Sequence, residues 1–446
     1  MTRSHFYSHC FVLALQAVLV LGVPALAAIV KGPYLENVGS DHITVSWESD
    51  QTADGILRYG IGDLSQEVAV PEGSGLQSIP LTGLQAGKTY FYRLELHDGA
   101  FGPSLTFSTA PAGSEPFHFL VYGDTRTDHP MHREVVGLIG DRAPDFYINT
   151  GDIVEDGDDS DMWQIFFDIE HSPMSRMVMW PVMGNHDHRT NTLYDALFHV
   201  DSDSGTSRYY SFDYSNCHFV VLCSEEDFSP TSAQYQWIDN DLSAAQSDPV
   251  VEHIFAFYHR PSFSSGWHGS EEMPLAEYLH PLFAKHGVEI VFNGHDHDYE
   301  RSTVDGILYI VTGGGGAPYP PLLDEDRPPR PDQNPHRQVF FGVFHAVDCA
   351  VTGPEVRCEM IDLTRTVRDT FGVNLGENPD PQPECTPCES GCASAAPTGS
   401  ILLLLVMFGA ALWRLRKSSA ACLAIKAVRS RAVAPWSGPR RRGPGR

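Results

Sequence analysis

The strongest constraint in this chain is a series of short apolar runs that each break off at a polar residue able to hold a metal. Phe117–Tyr122 leads into Gly123-Asp124, Asp145–Thr150 into Gly151-Asp152, and Met177–Met183 into Gly184-Asn185. Further on, Ile254–Tyr258 runs into His259, and Glu289–Phe292 into Asn293-Gly294-His295. Apolar runs of about four to eight residues bounded by turn signals read as buried strands. His132–Arg142 reads as a helix between the first two, and that alternation points to an α/β sheet. Sheets of this kind bind ligands outside the carboxyl ends of their strands, which is where all of these polar residues fall.

The segment before them has a different character. Between Ile29 and Pro111, His42–Trp47, Ile56–Tyr59 and Thr89–Glu95 alternate apolar and polar residues with Gly-rich turns between them. That is the period of a half-buried strand, and the whole suits a small β-sandwich. Gly32-Pro33-Tyr34, Trp47 and Leu84–Tyr90 resemble a fibronectin-type-III-like module.

Charge narrows the substrate. The formal net charge is −27, and from Ala28 to Trp413 there are 19 basic against 57 acidic residues, a net −38. Such a surface repels a nucleic-acid backbone, so no nucleic-acid partner is expected. The ten Lys and Arg from Arg414 onward sit in a tail without acids.

The polar residues form five motifs in order: Gly123-Asp124-Thr125-Arg126, Gly151-Asp152-Ile153-Val154, Gly184-Asn185-His186-Asp187, His259-Arg260-Pro261 and Gly294-His295-Asp296-His297. A lone Asp in a Gly-Asp turn is ordinary turn chemistry, but five such endings together offer a set of ligands. Carboxylate, amide and imidazole suit Zn, Fe or Mn. A carboxylate can bridge two ions about 4 Å apart, and such a pair acidifies water and clamps phosphate oxygens.

From Phe117 to about Cys349 this set resembles the calcineurin-like metallophosphoesterase family. The runs Gly294–Arg301, His259-Arg260-Pro261 and Thr312–Pro318 are particularly similar to its purple acid phosphatase branch, whose members carry a fibronectin-type-III-like domain ahead of the catalytic one. The resemblance implies an α/β metallophosphoesterase β-sandwich flanked by helices, preceded by a small all-β sandwich domain. It implies two divalent or trivalent metal ions (Fe, Zn or Mn), with Asp152 bridging both, Asp124 and His297 on the first, and Asn185, His259 and His295 on the second. His186 would touch the phosphate or leaving group, and His268 would stand on the substrate side. The expected activity is hydrolysis of small-molecule phosphate monoesters by attack of a metal-bound hydroxide on phosphorus, with His186 or His268 protonating the leaving group.

Two positions depart from the pattern. Glu155 stands where the purple enzymes have a metal-bound tyrosine, and Arg126 stands where other family members supply a histidine. Arg stays protonated and cannot ligate. His132 and Glu155 are candidates to complete the first site, and Arg126 is a candidate phosphate clamp, its fork matching phosphate oxygens. A salt bridge to a nearby acid is the alternative for Arg126. Phosphodiesterase or nucleotidase activity on the same scaffold remains an alternative within enzymes. A catalytically weakened surface binding protein is the alternative of another class.

The ends read as addresses. Residues 1–27 read as a signal peptide, with Arg3, the apolar Phe11–Leu21 and small residues at Ala25 and Ala27. After the all-β domain (28–112) and the catalytic domain (113–375) come a Pro-, Cys- and Ser-rich linker (376–400), an apolar segment (401–417) and a basic disordered tail (418–446). The apolar segment reads as a sorting signal or membrane anchor and offers membrane or cell-surface attachment. The body is therefore expected to be exported: periplasmic, cell-surface or secreted. Export permits disulfides. Cys349 and Cys358 flank Thr352-Gly353-Pro354, a turn between two β-like runs, and are expected to pair across it. Cys217 and Cys223 share one strand, roughly 20 Å apart at strand rise, and are expected to remain buried thiols.

Overall fold

The computed structural model describes residues 27–97, 102–270, 274–318 and 333–375. The signal segment up to residue 26, the linker, the apolar segment and the basic tail lie outside these residues, as does most of the Pro- and Asp-rich stretch after Ala317.

Five strands open the fold: β1 (Ile29–Glu36), β2 (His42–Gly60), β3 (Gln66–Thr82), β4 (Thr89–Leu96) and β5 (Leu105–Ser108). They pair in the order β1-β2-β4-β5, with β3 on β2. The alternating runs His42–Trp47 and Ile56–Tyr59, expected as separate strands, belong to one long strand. Its register on β3 shifts between Ser49 and Gly55, so the ladder continues through the polar stretch instead of ending in a turn.

The remaining elements build two facing sheets. In chain order they are β6 (Phe117–Tyr122), α1 (His129–Arg142), β7 (Phe146–Asn149), α2 (Ser160–Met174), β8 (Met179–Pro181), α3 (Thr192–Leu197), β9 (Tyr210–Tyr214), β10 (Cys217–Val221), α4 (Ala233–Ser247), β11 (His253–Phe257), α5 (Leu275–His286), β12 (Ile290–Asn293), β13 (Tyr299–Val304), β14 (Ile307–Thr312), β15 (Arg337–Phe341), β16 (His345–Thr352), β17 (Glu355–Asp362) and β18 (Val367–Val373). One sheet runs β18-β17-β16-β6-β7-β8 and the other β15-β13-β14-β12-β11-β10-β9. β6, β7 and β8 are parallel, and so are β10, β11 and β12.

Side chains alternate across each strand, and both faces of the central strands are buried. Phe119, Phe146, Phe219, Phe255 and Phe292 point between the sheets and share one core. The Phe119 and Phe219 rings stand 5.3 Å apart, edge to face. Each such ring contributes about 1.5–3 kcal/mol by leaving water. Leu120, Tyr122 and Tyr147 point the other way, against Val135 and Leu138 of α1 and Phe166 of α2. Val220, Ala256 and Val291 likewise pack on Ile238 of α4 and Leu279 of α5. Helix α1 starts where the Asp128 carboxylate accepts from the Met131 N–H at 3.2 Å, a normal N-cap.

Cys349 and Cys358 form the expected disulfide across β16 and β17, where they are directly paired. Cys217 and Cys223 are buried free thiols, as expected.

The N-terminal sheet is tied to the end of α3 and the segment after it by buried polar bonds. The Tyr34 hydroxyl donates to the Leu197 carbonyl at 2.9 Å, and Asn37 Nδ2 to the His199 carbonyl at 2.7 Å. Glu36 accepts from the His199 N–H at 2.8 Å and from the Ser46 hydroxyl. Burial pushes the Glu36 carboxyl from 4.5 up to about 7, although these two bonds oppose the shift. Between those values the unfolded chain has released a proton that the folded chain keeps, so stability falls as pH rises through that window. Glu36→Gln removes this loss. Urea unfolding at pH 5 and pH 8 is expected to show a pH-dependent drop that is smaller in Glu36→Gln than in the wild type, by up to about 3 kcal/mol. Equal drops in the two proteins would refute the burial argument.

Candidate metal centre

The strand ends carry the polar residues on strained backbone. Asp124, Asp152 and His295 have φ of 57°, 51° and 70°. Non-glycine residues seldom adopt this left-handed region, and it concentrates at functional sites. Glycines make the close approach possible. A Cβ on Gly184 would lie 2.2 Å from the Asp152 nitrogen, and one on Gly151 would lie 2.8 Å from His259 Nδ1. The Asp124 N–H donates to the Gly151 carbonyl at 2.8 Å, and the Gly294 N–H to the His259 carbonyl at 2.9 Å. These bonds tie β6 to β7 and β11 to β12 just past their ends, and the His295 N–H joins the two sheets by donating to Asp124 Oδ2 at 2.9 Å.

Asp152, His259 and His295 form the centre of the cluster. All three are buried, and their ligand atoms lie within 4.8 Å of one another. His259 Nδ1 lies 2.9 Å from the Thr150 carbonyl, which can only accept, so Nδ1 carries a proton. Its Nε2 then faces Asp152 Oδ1 at 3.2 Å. Two lone pairs at that separation repel unless a proton or a cation lies between them. Without a metal the proton serves: burial works to lower the His259 pKa, but Asp152 raises it to about 10. Burial likewise acts to raise Asp152, while His259, Arg126 and His186 hold it well below the carboxylate range. Asn185 sits between Gly184 and His186, whose N–H donates to Asp152 Oδ1 at 2.9 Å. The Asn185 side-chain oxygen is buried without a hydrogen-bond partner among the described residues. This arrangement of oxygen and imidazole donors fits a borderline cation.

Asp124, Asp152 and His297 gather on the other side. Asp124 Oδ2 accepts from the His295 N–H at 2.9 Å. Its Oδ1 is buried with no hydrogen bond and stands 3.6 Å from His297 Nε2. Burial pushes the Asp124 carboxyl well up, and burial with Arg126 pushes His297 down to about 4. Arg126 reaches into this group: Nε donates to Asp152 Oδ2 at 3.0 Å, Nη1 to Glu155 at 2.8 Å, and Nη2 lies 3.2 Å from His297 Nε2.

His132 and Glu155, the candidates to complete this position, are engaged elsewhere. His132 Nε2 lies 2.7 Å from Glu170, a buried carboxylate that also accepts from Tyr122 and Tyr147. Glu155 accepts from Arg126 and from the Thr127 hydroxyl at 2.7 Å.

His186 and His268 flank the cluster. His186 Nδ1 donates to the Glu155 carbonyl at 2.8 Å, and Nε2 stands 3.9 Å from Asp152 Oδ2. The His268 ring is 4.0 Å from the His295 ring. Thus the six candidate ligands and the three candidate catalytic residues all lie at one rim. Beside Arg126 and His297 opens a cavity of about 550 Å³, walled by Met162, Ile165, Phe166, Trp267 and Pro318.

Three positions went unassigned in the sequence. Asp187 Oδ2 accepts from the Gly184 and Ile153 N–H groups at 2.9 and 3.2 Å, and Oδ1 from Val154 at 3.1 Å. It clamps the loops that carry Asp152 and Asn185. Asp296 accepts from the His268 N–H at 2.7 Å and so places that histidine. Both lie inside motifs read for their neighbours, and their position there was the available signal. Arg260 forks onto Glu225 and brings Nη1 to 3.2 Å from His295 Nε2. Glu225 is too distant in sequence to have signalled this.

Residues 117–299 match the family model described as calcineurin-like phosphoesterase. Purple acid phosphatase 22 of Arabidopsis thaliana is 26% identical over 341 residues, covering 69% of this chain and 77% of that protein. Purple acid phosphatase 15 of the same plant is 28% identical over 308 residues, covering 59% and 55%. Among solved structures, purple acid phosphatase PPD1 from yellow lupin superposes with a TM-score of 0.66 at 18% identity, over 77% of this chain and 74% of that one. A structure of PhoD gives 0.55 at 12% identity, over 77% and 89%. The structural likenesses establish a shared fold.

Asp187→Asn puts an amide NH₂ where one oxygen now accepts, leaving at least one buried N–H unpaired. Thermal and urea unfolding are expected to show a loss of about 1–3 kcal/mol. Calorimetric Mn²⁺ binding should weaken in parallel. Unchanged stability and affinity would refute the clamp.

Proposed function

With residues 117–299 forming a calcineurin-like phosphoesterase domain in a chain that aligns with purple acid phosphatases, the chain is a phosphoric ester hydrolase, and we propose that it is an exported, metal-dependent phosphomonoesterase. The observation that carries the metal dependence is the buried pair His259 Nε2 and Asp152 Oδ1, 3.2 Å apart, with the unpaired Asn185 oxygen on the residue next to His186, whose N–H binds the same Asp152 oxygen. Asp152, Asn185, His259 and His295 hold the cation in this reading, while Asp124 and His297 face the neighbouring position. A bound cation supplies Lewis acidity toward phosphate oxygens and acidifies water.

The chain's own groups do the rest. Three of the five Arg126 N–H groups are engaged by Asp152, Glu155 and His297, which leaves two for phosphate oxygens. His186 keeps Nδ1 on the Glu155 carbonyl, so Nε2 is the nitrogen that meets the ester. Imidazole is the side chain suited to giving a leaving alkoxide its proton near neutral pH. His268 is placed for the same task by Asp296. The cavity beside Arg126 takes the organic part of the ester, and its apolar walls at Met162, Phe166 and Trp267 suit a hydrocarbon or aromatic group.

Export is supported by the apolar N-terminal run and by the Cys349–Cys358 disulfide, since such bonds persist in oxidising compartments. Among the described residues no helix is long and apolar enough to cross a membrane. The domain division at about residue 112 is part of the same reading.

Steady-state kinetics with p-nitrophenyl phosphate and its bis-ester test the proposal. The monoester is expected to be preferred, and a preference for the bis-ester would move the reading to a phosphodiesterase. Asn185→Ala and His259→Ala are expected to lower kcat by about 100-fold or more without loss of fold. Near-normal turnover in Asn185→Ala would sink the assignment.

A further inference from the structure

Among the described residues, the position between Asp124, Asp152 and His297 gathers three acceptor atoms. Asp124 Oδ1 is buried and unpaired, and Asp152 Oδ2 and His297 Nε2 complete the set. His297 Nδ1 lies 3.0 Å from the Pro318 carbonyl, so Nδ1 carries the proton and Nε2 presents its lone pair. That lone pair is presented as it would be to a metal, yet its neighbour is Arg126 Nη2 at 3.2 Å. The same guanidinium binds Asp152 Oδ2 through Nε at 3.0 Å. The far side of its fork is fixed by Glu155 at 2.8 Å, and Thr127 at 2.7 Å holds Glu155 in turn.

We propose that the Arg126 guanidinium permanently fills the first cation position, so that the chain binds one metal ion, held by Asp152, Asn185, His259 and His295. The inference rests on the metal-dependent reading above and goes beyond it in the count of ions and in the role of Arg126. A guanidinium does not lose its proton in proteins, so it is a cation at every working pH. It meets two of the three acceptors directly and places its charge near the third. Arg260 Nη1 stands equally close to His295 Nε2 at the other position, but Glu225 binds its Nε and Nη2 and carries the countercharge. Its charge also repels an ion brought to the same donors. Among the described residues the two candidates for a fourth donor are engaged: His132 is bonded to Glu170, and Glu155 to Arg126 and Thr127. A mobile dication in this position is thereby replaced by a built-in monocation with two further N–H groups beyond those bound to Asp152, Glu155 and His297.

The test is metal counting on the full chain. Protein saturated with Mn²⁺, then with Zn²⁺, is freed of excess ion by gel filtration and measured by mass spectrometry of the metal. One ion per chain is expected in the wild type, with the six-line paramagnetic spectrum of isolated Mn²⁺. Asn185→Ala should lose that ion. Arg126→His supplies an imidazole where the guanidinium stood and should bind two ions, with a spin-coupled Mn²⁺ spectrum. Two ions or a coupled spectrum in the wild type would overturn the inference and leave the phosphatase reading intact. One ion in folded Arg126→His would overturn the claim that the guanidinium excludes the second. No retained ion in the wild type would overturn the metal-dependent reading itself. The wild-type count decides even if Arg126→His fails to fold.

Discussion

Everything at the rim of this protein is arranged around one buried carboxylate. Asp152 accepts from the His186 N–H and from Arg126, and faces Nε2 of His259. Taking a carboxylate out of water is costly unless positive charge comes with it. The positive charge here is supplied by the groups that define the site: an arginine on one side and, on the other, a gap between donors that only a proton or metal can close. The left-handed φ of Asp124, Asp152 and His295 is the local cost of aiming these atoms inward.

That cost is sustained by the packing beneath. The two sheets bring β6, β7 and β8 from one side and β11 and β12 from the other, and the Phe-rich layer between them fixes their separation. A site assembled from five strand ends tolerates little slip, because a one-residue change of register turns each side chain to the opposite face. The Phe layer between the sheets and the different side chains packed on the helices would both be misplaced by such slip. Polar clamps finish the job at the loops. Asp187 gathers three N–H groups from two loops, and Asp296 fixes the segment that carries His268.

The N-terminal sheet contributes in a different way. Tyr34 bonds the last residue of α3, Glu36 and Asn37 bond His199 just after it, and the Tyr92 hydroxyl donates to the Ser175 carbonyl at 2.7 Å just past α2. It therefore braces the outer helices near the cavity wall formed by Met162 and Phe166, and not the strand ends themselves.

The sequence alone determined the strand-end motifs, the α/β pattern, the disulfide and the set of candidate ligands, because strand periodicity and turn chemistry are local properties. Phe117–Tyr122 is a strand in full, and Cys349 and Cys358 pair across their hairpin as the flanking turn implied. Local pattern could not reveal what lies across space. Whether Arg126 would clamp phosphate or bridge an acid was open in the sequence; the structure places it on Asp152, Glu155 and His297 together. His132 and Glu155 looked able to complete a metal site, but Glu170 and Arg126, 38 and 29 residues away in the chain, claim them. Partner choice of this kind depends on distances that only the packing of two sheets sets, which is why tertiary structure decided the partners of Arg126, His132 and Glu155 while sequence named only the candidates.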